Sequence, residues 1–285
     1  MPSVYPDFYP RFACKASACR HSCCRGWEID VDDTSAARYL RQDGALGDAL
    51  RGALEADGDG WHFRLDAGER CPFLRPDGLC RLICELGEDS LCDICALHPR
   101  FYGERGDFEF CGLGLSCEKA AELLLESGEP LRFTAGDAVW ELPGLLRALG
   151  LEVDPDALRF RPHPVRERYA ALLARLAETE PIDALWPREL AELRAALDSS
   201  LVPAAERHAR DYDAGRCDRI FAYILFRQLE RLEDCGLPAL LAFAGDSTEF
   251  IFLQDALHPD TAEHLRRWSE QIEYSTENVE LLLNA

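Results

Sequence analysis

The amino-acid sequence predicts a mainly α-helical protein in which an N-terminal cysteine-rich metal-binding module, with short strands and loops, packs on a helical body. Three observations predict it. Eleven of the 13 cysteines fall between residues 14 and 117. Turn signals such as Pro76-Asp77-Gly78 crowd the same stretch, and tight turns bring several ligands to one centre. Beyond residue 128 the apolar side chains recur at helical spacing. The expected domains are residues 1–127 for the cysteine module and 128–285 for the helical part, with a soft boundary near 128–136 and one core open to sharing.

Taken in order, residues 1–30 read as irregular structure around the first cysteines. The pattern over 33–55 suggests one or two short helices with a break near Gly44. Residues 61–65 (Trp-His-Phe-Arg-Leu) alternate like a short strand. Arg81–Gly87 reads as one or two helical turns, and 106–116 as a strand or loop leading into a helix at 117–127. A strand is expected at 128–133. Helices follow at 163–178, at 186–197 with Pro187 in the first turn, and at 217–236 ending at Gly236. Two shorter ones are expected at 259–271 and 276–284.

Charge narrows the function classes. Fifty-two acidic residues face 31 basic ones, a formal charge of −21, which disfavours a nucleic-acid backbone binder because such affinity depends on cationic patches. The same charge keeps a protein soluble and steers a basic protein partner. The opening segment, with three prolines and no apolar run, does not read as a secretory leader. The apolar run at 220–226 is too short to span a bilayer. A soluble cytoplasmic protein without membrane or nucleic-acid partners is the expectation. A reducing compartment favours metal-bound thiolates over disulfides.

The cysteines form two groups. Cys14, Cys19, Cys23 and Cys24 have the spacing C-x4-C-x3-CC. Cys71, Cys80, Cys84, Cys92 and Cys95 have C-x8-C-x3-C-x7-C-x2-C, followed by Cys111 and Cys117. The C-x2-C pair is the spacing at which a short turn aims two sulfurs at one ion. Thiolates select zinc, copper(I) or iron–sulfur clusters, and spacing does not choose among them. Cys217 and Cys235 lie in or beside a helical pattern and read as packed small hydrophobes. His21 and His98 are the histidines near cysteines, each open to a ligand, base or packing role. No catalytic serine motif, H-E-x-x-H or phosphate-binding loop is present.

The runs Phe12-x-Cys14-x4-Cys19-x3-Cys23-Cys24-x-Gly26-Trp27-x-Ile29, Cys71-Pro72-Phe73-Leu74-x3-Gly78-Leu79-Cys80, Leu91-Cys92-x2-Cys95-x3-Pro99-Arg100-Phe101 and Leu115-Ser116-Cys117-Glu118 resemble the flagellin lysine-N-methylase family. That family sits within a broader group of zinc- or iron-chelating cysteine-cluster proteins. The resemblance extends to Tyr223-x2-Phe226-Arg227 and to the stretch from Ile272 to Glu280. It implies transfer of a methyl group from S-adenosylmethionine to lysine ε-amines of flagellin or another lysine-bearing protein. It also implies an iron–sulfur cluster, of 4Fe–4S type ahead of zinc. Carried over residue by residue, it implies Cys14, Cys19, Cys23, Cys24, Cys71, Cys80, Cys92, Cys95 and Cys117 as metal ligands, with Cys84 and Cys111 as extras.

Methyl transfer needs a neutral amine aligned with the methyl group and a route for the proton. His98, Glu118, Glu28 and Asp30, all near the cysteine motifs, are candidates for the acceptor or for binding the ammonium form. Arg100 is a candidate to face a carboxylate of substrate or cofactor, against the plainer reading of a structural salt bridge. His98, Arg100 and Glu118 make the expected catalytic set. The alternative function is a non-catalytic zinc- or iron-binding cysteine-cluster protein, its metal structural, stored or handed on.

Overall fold

The computed structural model describes residues 1–58 and 60–284. The chain divides into two compact units, one made of Met1–Phe12 together with Tyr102 onward, the other of Ala13–Phe101. The second unit is therefore an insertion in the sequence of the first, whereas the sequence suggests a single boundary near 128–136. Among the described residues eight strands occur: β1 (Ser3–Pro6), β2 (Ile29–Val31), β3 (Leu54–Ala56), β4 (Trp61–Phe63), β5 (Arg100–Arg105), β6 (Phe108–Leu113), β7 (Arg132–Ala135) and β8 (Ala138–Glu141). They form a five-stranded sheet, β5-β6-β1-β7-β8, and a three-stranded sheet, β2-β4-β3.

In the first unit β1 is the middle strand, although its residues read as irregular in the sequence. It runs parallel to β6, through Ser3 opposite Glu109 and Val4 opposite Phe110. It runs antiparallel to β7, through Val4 opposite Ala135, Tyr5 opposite Thr134 and Pro6 opposite Phe133. Its four residues alternate in burial, but two alternations beside prolines are too short a pattern to stand out in the sequence. Pro6, which has no N–H to give, lies past the last pair with β6, so its place in a central strand breaks no ladder on that side.

The chain leaves β1 through Asp7 and Phe8, and both are held from the helix Ala214–Arg227. Arg219, with 1% of its side chain exposed, donates to both Asp7 oxygens at 3.0 and 3.2 Å and to the carbonyls of Leu124 and Glu129 at 2.8 and 3.1 Å. One turn along, the Tyr223 hydroxyl accepts from the Leu113 N–H at 2.6 Å and donates to the Leu113 carbonyl at 2.7 Å, closing the end of β6. The Tyr223 ring meets Phe8 edge-on at 5.1 Å, and Phe226 stacks on Phe133 at 4.7 Å. Gly215, second in the same helix, lets the backbone pass close to Gly128, since a Cβ there would lie 1.9 Å from the Gly128 carbonyl oxygen.

The rest of this unit is helical. Arg166–Leu176, Trp186–Leu197 and Thr276–Leu283 fall where the periodicity places helices. The helix expected over 217–236 is instead two. Ala214–Arg227 ends at Gln228, and after a short turn Leu232–Leu257 begins, kinked at Gly236 (φ +78°) just before Pro238. By length and composition Leu229–Leu257 is apolar enough to cross a membrane. Its Leu240, Phe243, Ala244, Phe250, Ile251 and Leu253 are buried, the position of a core helix in a globular fold.

The second unit packs helices Asp33–Leu40 and Gly44–Ala53 against the small sheet, whose strands pair antiparallel with Ile29 and Leu54 both opposite Phe63. Its core is built on Ile29, Tyr39, Leu50, Phe63, Phe73 and Leu82. The mainly helical class stands. The N-terminal cysteine-rich metal module does not: the thiols are spread over both units, with Cys111, Cys117, Cys217 and Cys235 in the first and the rest in the second.

The Asp7–Arg219 pair sets an expected outcome. Leaving a buried guanidinium without its carboxylate costs about 3–5 kcal/mol, so Asp7→Ala lowers the urea-unfolding free energy by roughly that amount. Arg11→Ala, which removes a half-exposed pair with Glu126, costs under about 1 kcal/mol. Equal effects in the two variants would contradict the clamp.

Candidate functional site

The second unit gathers several of the expected ligands through one aspartate. Asp32 caps the helix Asp33–Leu40, its Oδ1 accepting from the Ser35 N–H at 2.8 Å, while Oδ2 accepts from the Asp93 N–H at 3.0 Å. Asp93 opens the short helix Asp93–Leu97, so one carboxylate sets both helix starts and places the Cys92-x2-Cys95 turn against β2. Arg38 and Tyr39 secure the approach to that turn. The Arg38 guanidinium donates to the carbonyls of Asp89, Ser90 and Leu91, and the Tyr39 hydroxyl donates to the Ser90 carbonyl at 2.7 Å.

Cys71 and Cys92 are buried in the core of this unit, with Cys24, Cys80 and Cys95 packed against it. Burial pushes the Cys71 thiol up to about 12 and raises Cys80 as well. The Cys95 thiol donates to Cys92, which holds Cys92 below the ordinary thiol range against the opposing effect of burial and sends Cys95 far above it. Cys24 is brought down to about 7, mainly by a hydrogen bond from Cys23 and with help from Ser22, while burial opposes it. Cys14, Cys23 and Cys84 are exposed and Cys19 half-buried. Cys117 caps the helix Glu118–Leu125 in the other unit.

This arrangement corrects the metal expectation. Four thiolates around zinc, with bonds of about 2.3 Å, stand roughly 3.8 Å from one another. Among the described residues, the one group of three or more His, Cys, Asp or Glu side chains whose ligand atoms all lie within 4.8 Å of one another is Glu28, Asp57 and His62. No cysteine belongs to it, so the donor set does not fit a cysteine-ligated iron–sulfur or zinc centre. The physical reason lies in the packing. The C-x2-C sulfurs satisfy each other, Cys24 is hydrogen-bonded by Cys23, and Cys71 and Cys80 behave as small apolar groups filling a modest core.

The expected catalytic residues fall in different units of the chain. His98 and Arg100 belong to the second unit, while Glu118, 4% exposed at the first position of its helix, belongs to the first. Burial lowers the His98 pKa to about 4, so the ring is neutral at physiological pH. Its Nε2 is buried and has no hydrogen-bond partner among the described residues. The half-buried Trp27 ring stands beside it at 5.8 Å, fixed by donation from its indole N–H to the Cys23 carbonyl. Arg100 begins β5.

Sequence reasoning missed His62. Glu28 and Asp30 alternate in one segment, Glu55 and Asp57 in another, and His62 is central in a third. That signal is a two-residue period spread over three strands of three residues each, too short to pair without the register.

Comparison with known proteins gives a distant link. The lysine-N-methylase of Salmonella typhimurium is 30% identical over 132 residues, covering 44% of this chain and 33% of that protein. The lysine-N-methylase of Salmonella choleraesuis aligns to the same extent. The flagellar biosynthetic protein FliU of Salmonella muenchen is 28% identical over 132 residues, covering 44% of this chain and 78% of FliU. The chain thus spans about a third of the length of the lysine-N-methylases it matches. No family model and no solved structure matches it.

The thiol environments set a reactivity order. In the native protein near pH 7.5, alkylation modifies Cys24 well before Cys71 or Cys80, read by peptide mapping after timed quenching. A Cys24 that resists alkylation until a chelator is added would overturn the correction and restore a thiolate-bound metal.

Proposed function

We propose that this chain methylates lysine side chains of a flagellar-pathway protein, flagellin first among them. The observation that carries the reading is the alignment over 132 residues with two proteins named lysine-N-methylase. The alignment with a flagellar biosynthetic protein supports the choice of partner. A formal charge of −21 favours the approach of a lysine-bearing surface.

The chemistry asks for a neutral amine held in line with the methyl donor. His98 suits the holding. As a neutral imidazole whose buried Nε2 has no hydrogen-bond partner among the described residues, it carries a cost of about 1–3 kcal/mol, which a substrate N–H would relieve. A pKa near 4 makes it a poor store for a proton, so in this reading it orients the amine while water takes the proton. Trp27, held beside the ring by its hydrogen bond to the Cys23 carbonyl, offers an apolar wall for the lysine stem. Arg100, two residues on, faces a carboxylate of substrate or donor. Glu118 is assigned no step.

The test is transfer of label from S-adenosylmethionine to purified flagellin. Parent protein transfers label, and His98→Phe reduces the rate by about 10²-fold. His98→Gln, which keeps a polar acceptor, loses less. Because His98 stays unprotonated well above pH 4, the rate profile carries no His98 inflection between about pH 5 and 8. Absence of transfer by the parent protein contradicts the reading, and an unaffected His98→Phe contradicts the role of His98.

A further inference from the structure

The three-stranded sheet has two unlike faces. Ile29, Val31, Leu54 and Phe63 point into the core. On the opposite face the register sets Asp30 and Glu55 on either side of His62, one on each neighbouring strand. Glu28 precedes β2 and Asp57 follows β3, each two residues further along. The side chains converge on one ring. His62 Nδ1 lies 3.4 Å from Asp57 Oδ2 and 3.8 Å from Glu28 Oε1, and Nε2 lies 3.7 Å from Glu55 Oε2.

These separations are too long for direct hydrogen bonds, which run at about 2.7–3.2 Å. A single Nδ1 also has at most one proton to give, yet two carboxylate oxygens approach it. The spacing is instead close to that of atoms sharing a cation. Ligands on bonds of about 2.0–2.2 Å stand roughly 3.0–3.6 Å apart in octahedral or tetrahedral geometry. Bringing the two Nδ1-to-carboxylate distances of 3.4 and 3.8 Å into that range takes a few tenths of an ångström at most, and the three ligand atoms all lie within 4.8 Å of one another.

The surroundings hold this arrangement in place. Asp57 Oδ1 accepts from the Gly60 N–H at 3.2 Å, which leaves Oδ2 turned towards the ring. Glu55 is anchored through its other oxygen by Arg64 at 2.7 Å, so a carboxylate faces the imidazole nitrogen on the side away from Asp57 and Glu28. A carboxylate behind the ligating ring is the outer-shell pattern that fixes a metal-bound imidazole. The His62 side chain is 17% exposed, while Glu28 and Asp57 are at least half exposed, leaving room for water ligands. A depression of about 320 Å³ opens at the same place, lined by Trp27, Glu28, Glu55, His62, Arg64 and Glu69 among others.

We infer that Glu28, Asp57 and His62 form a binding site for a divalent first-row cation, completed by water and oriented by Glu55. One imidazole and two carboxylates suit Mn²⁺, Fe²⁺ or Co²⁺ rather than the soft ions that thiolates select. Two carboxylates beside one imidazole also leave a charge that a dication neutralises. The inference does not depend on the methylation reading.

The test uses the full chain and Mn²⁺ alone, because thiols compete little for this harder ion. The free-ion signal is followed by electron paramagnetic resonance during titration. One Mn²⁺ binds per chain, and His62→Phe, Asp57→Asn and Glu28→Gln each weaken it by at least about tenfold. Asp57→Asn and Glu28→Gln change exposed side chains, and thermal melts matching the parent show that lost binding is not lost folding. Blocking the thiols with iodoacetamide leaves Mn²⁺ binding unchanged. No binding by the parent chain, binding indifferent to both amide variants, or binding abolished by thiol blocking would each overturn the site.

Discussion

The Asp7–Arg219 ion pair is the contact on which the first unit depends. Residues 1–12 are separated in sequence from the rest of their unit by residues 13–101, yet they supply its middle strand. Loop-closure entropy grows only slowly with the length of what intervenes, so a few strong contacts suffice to hold the segment. Arg219 provides them from a buried position, using one guanidinium to tie Asp7 and the Leu124 and Glu129 carbonyls together. Tyr223, one turn on, finishes β6 beside it. Strand order and helix placement thus meet on one face of Ala214–Arg227.

In the second unit the corresponding constraint is Asp32, which caps two helix starts from one carboxylate. That choice turns the C-x2-C segment inward. The thiols then complete a core too small to close with large side chains alone, and their ionisation follows burial and mutual hydrogen bonding. What the sequence displays as a metal-ligand spacing is, in the folded chain, a packing arrangement in which Cys24 and Cys92 are shifted towards the thiolate while Cys71, Cys80 and Cys95 are held as thiols. The polar chemistry of the unit lies on the outer face of its small sheet.

Legibility in the sequence tracked the length of the pattern. Helices such as Trp186–Leu197 were readable because several turns repeat an apolar face and Pro187 marks the start. Strand β1 was not, since Ser3–Pro6 holds only two alternations and is recognised by its partners. The helix broken at Gln228 shows the opposite failure. Its apolar stripe continues through Leu229 and Leu232, so the pattern runs on while the backbone turns. Cysteine spacing brought Cys92 and Cys95 together correctly but did not reveal whether an ion or a hydrogen bond joins them. His62, Glu55 and Asp57 escaped notice, and Glu28 was singled out only for a proton or an ammonium group, because the four come from three separate segments in and beside short strands.

The proposal of lysine methylation rests on similarity over 132 residues, to which the chain itself adds a neutral imidazole that has no hydrogen-bond partner among the described residues and stands beside a tryptophan. The most direct measurement is co-expression of this chain with a flagellin in cells that lack their own lysine methylation, followed by peptide mass spectrometry. The account predicts flagellin lysines heavier by whole methyl groups only when the chain is present. Unmodified lysines alongside folded, abundant protein would contradict it.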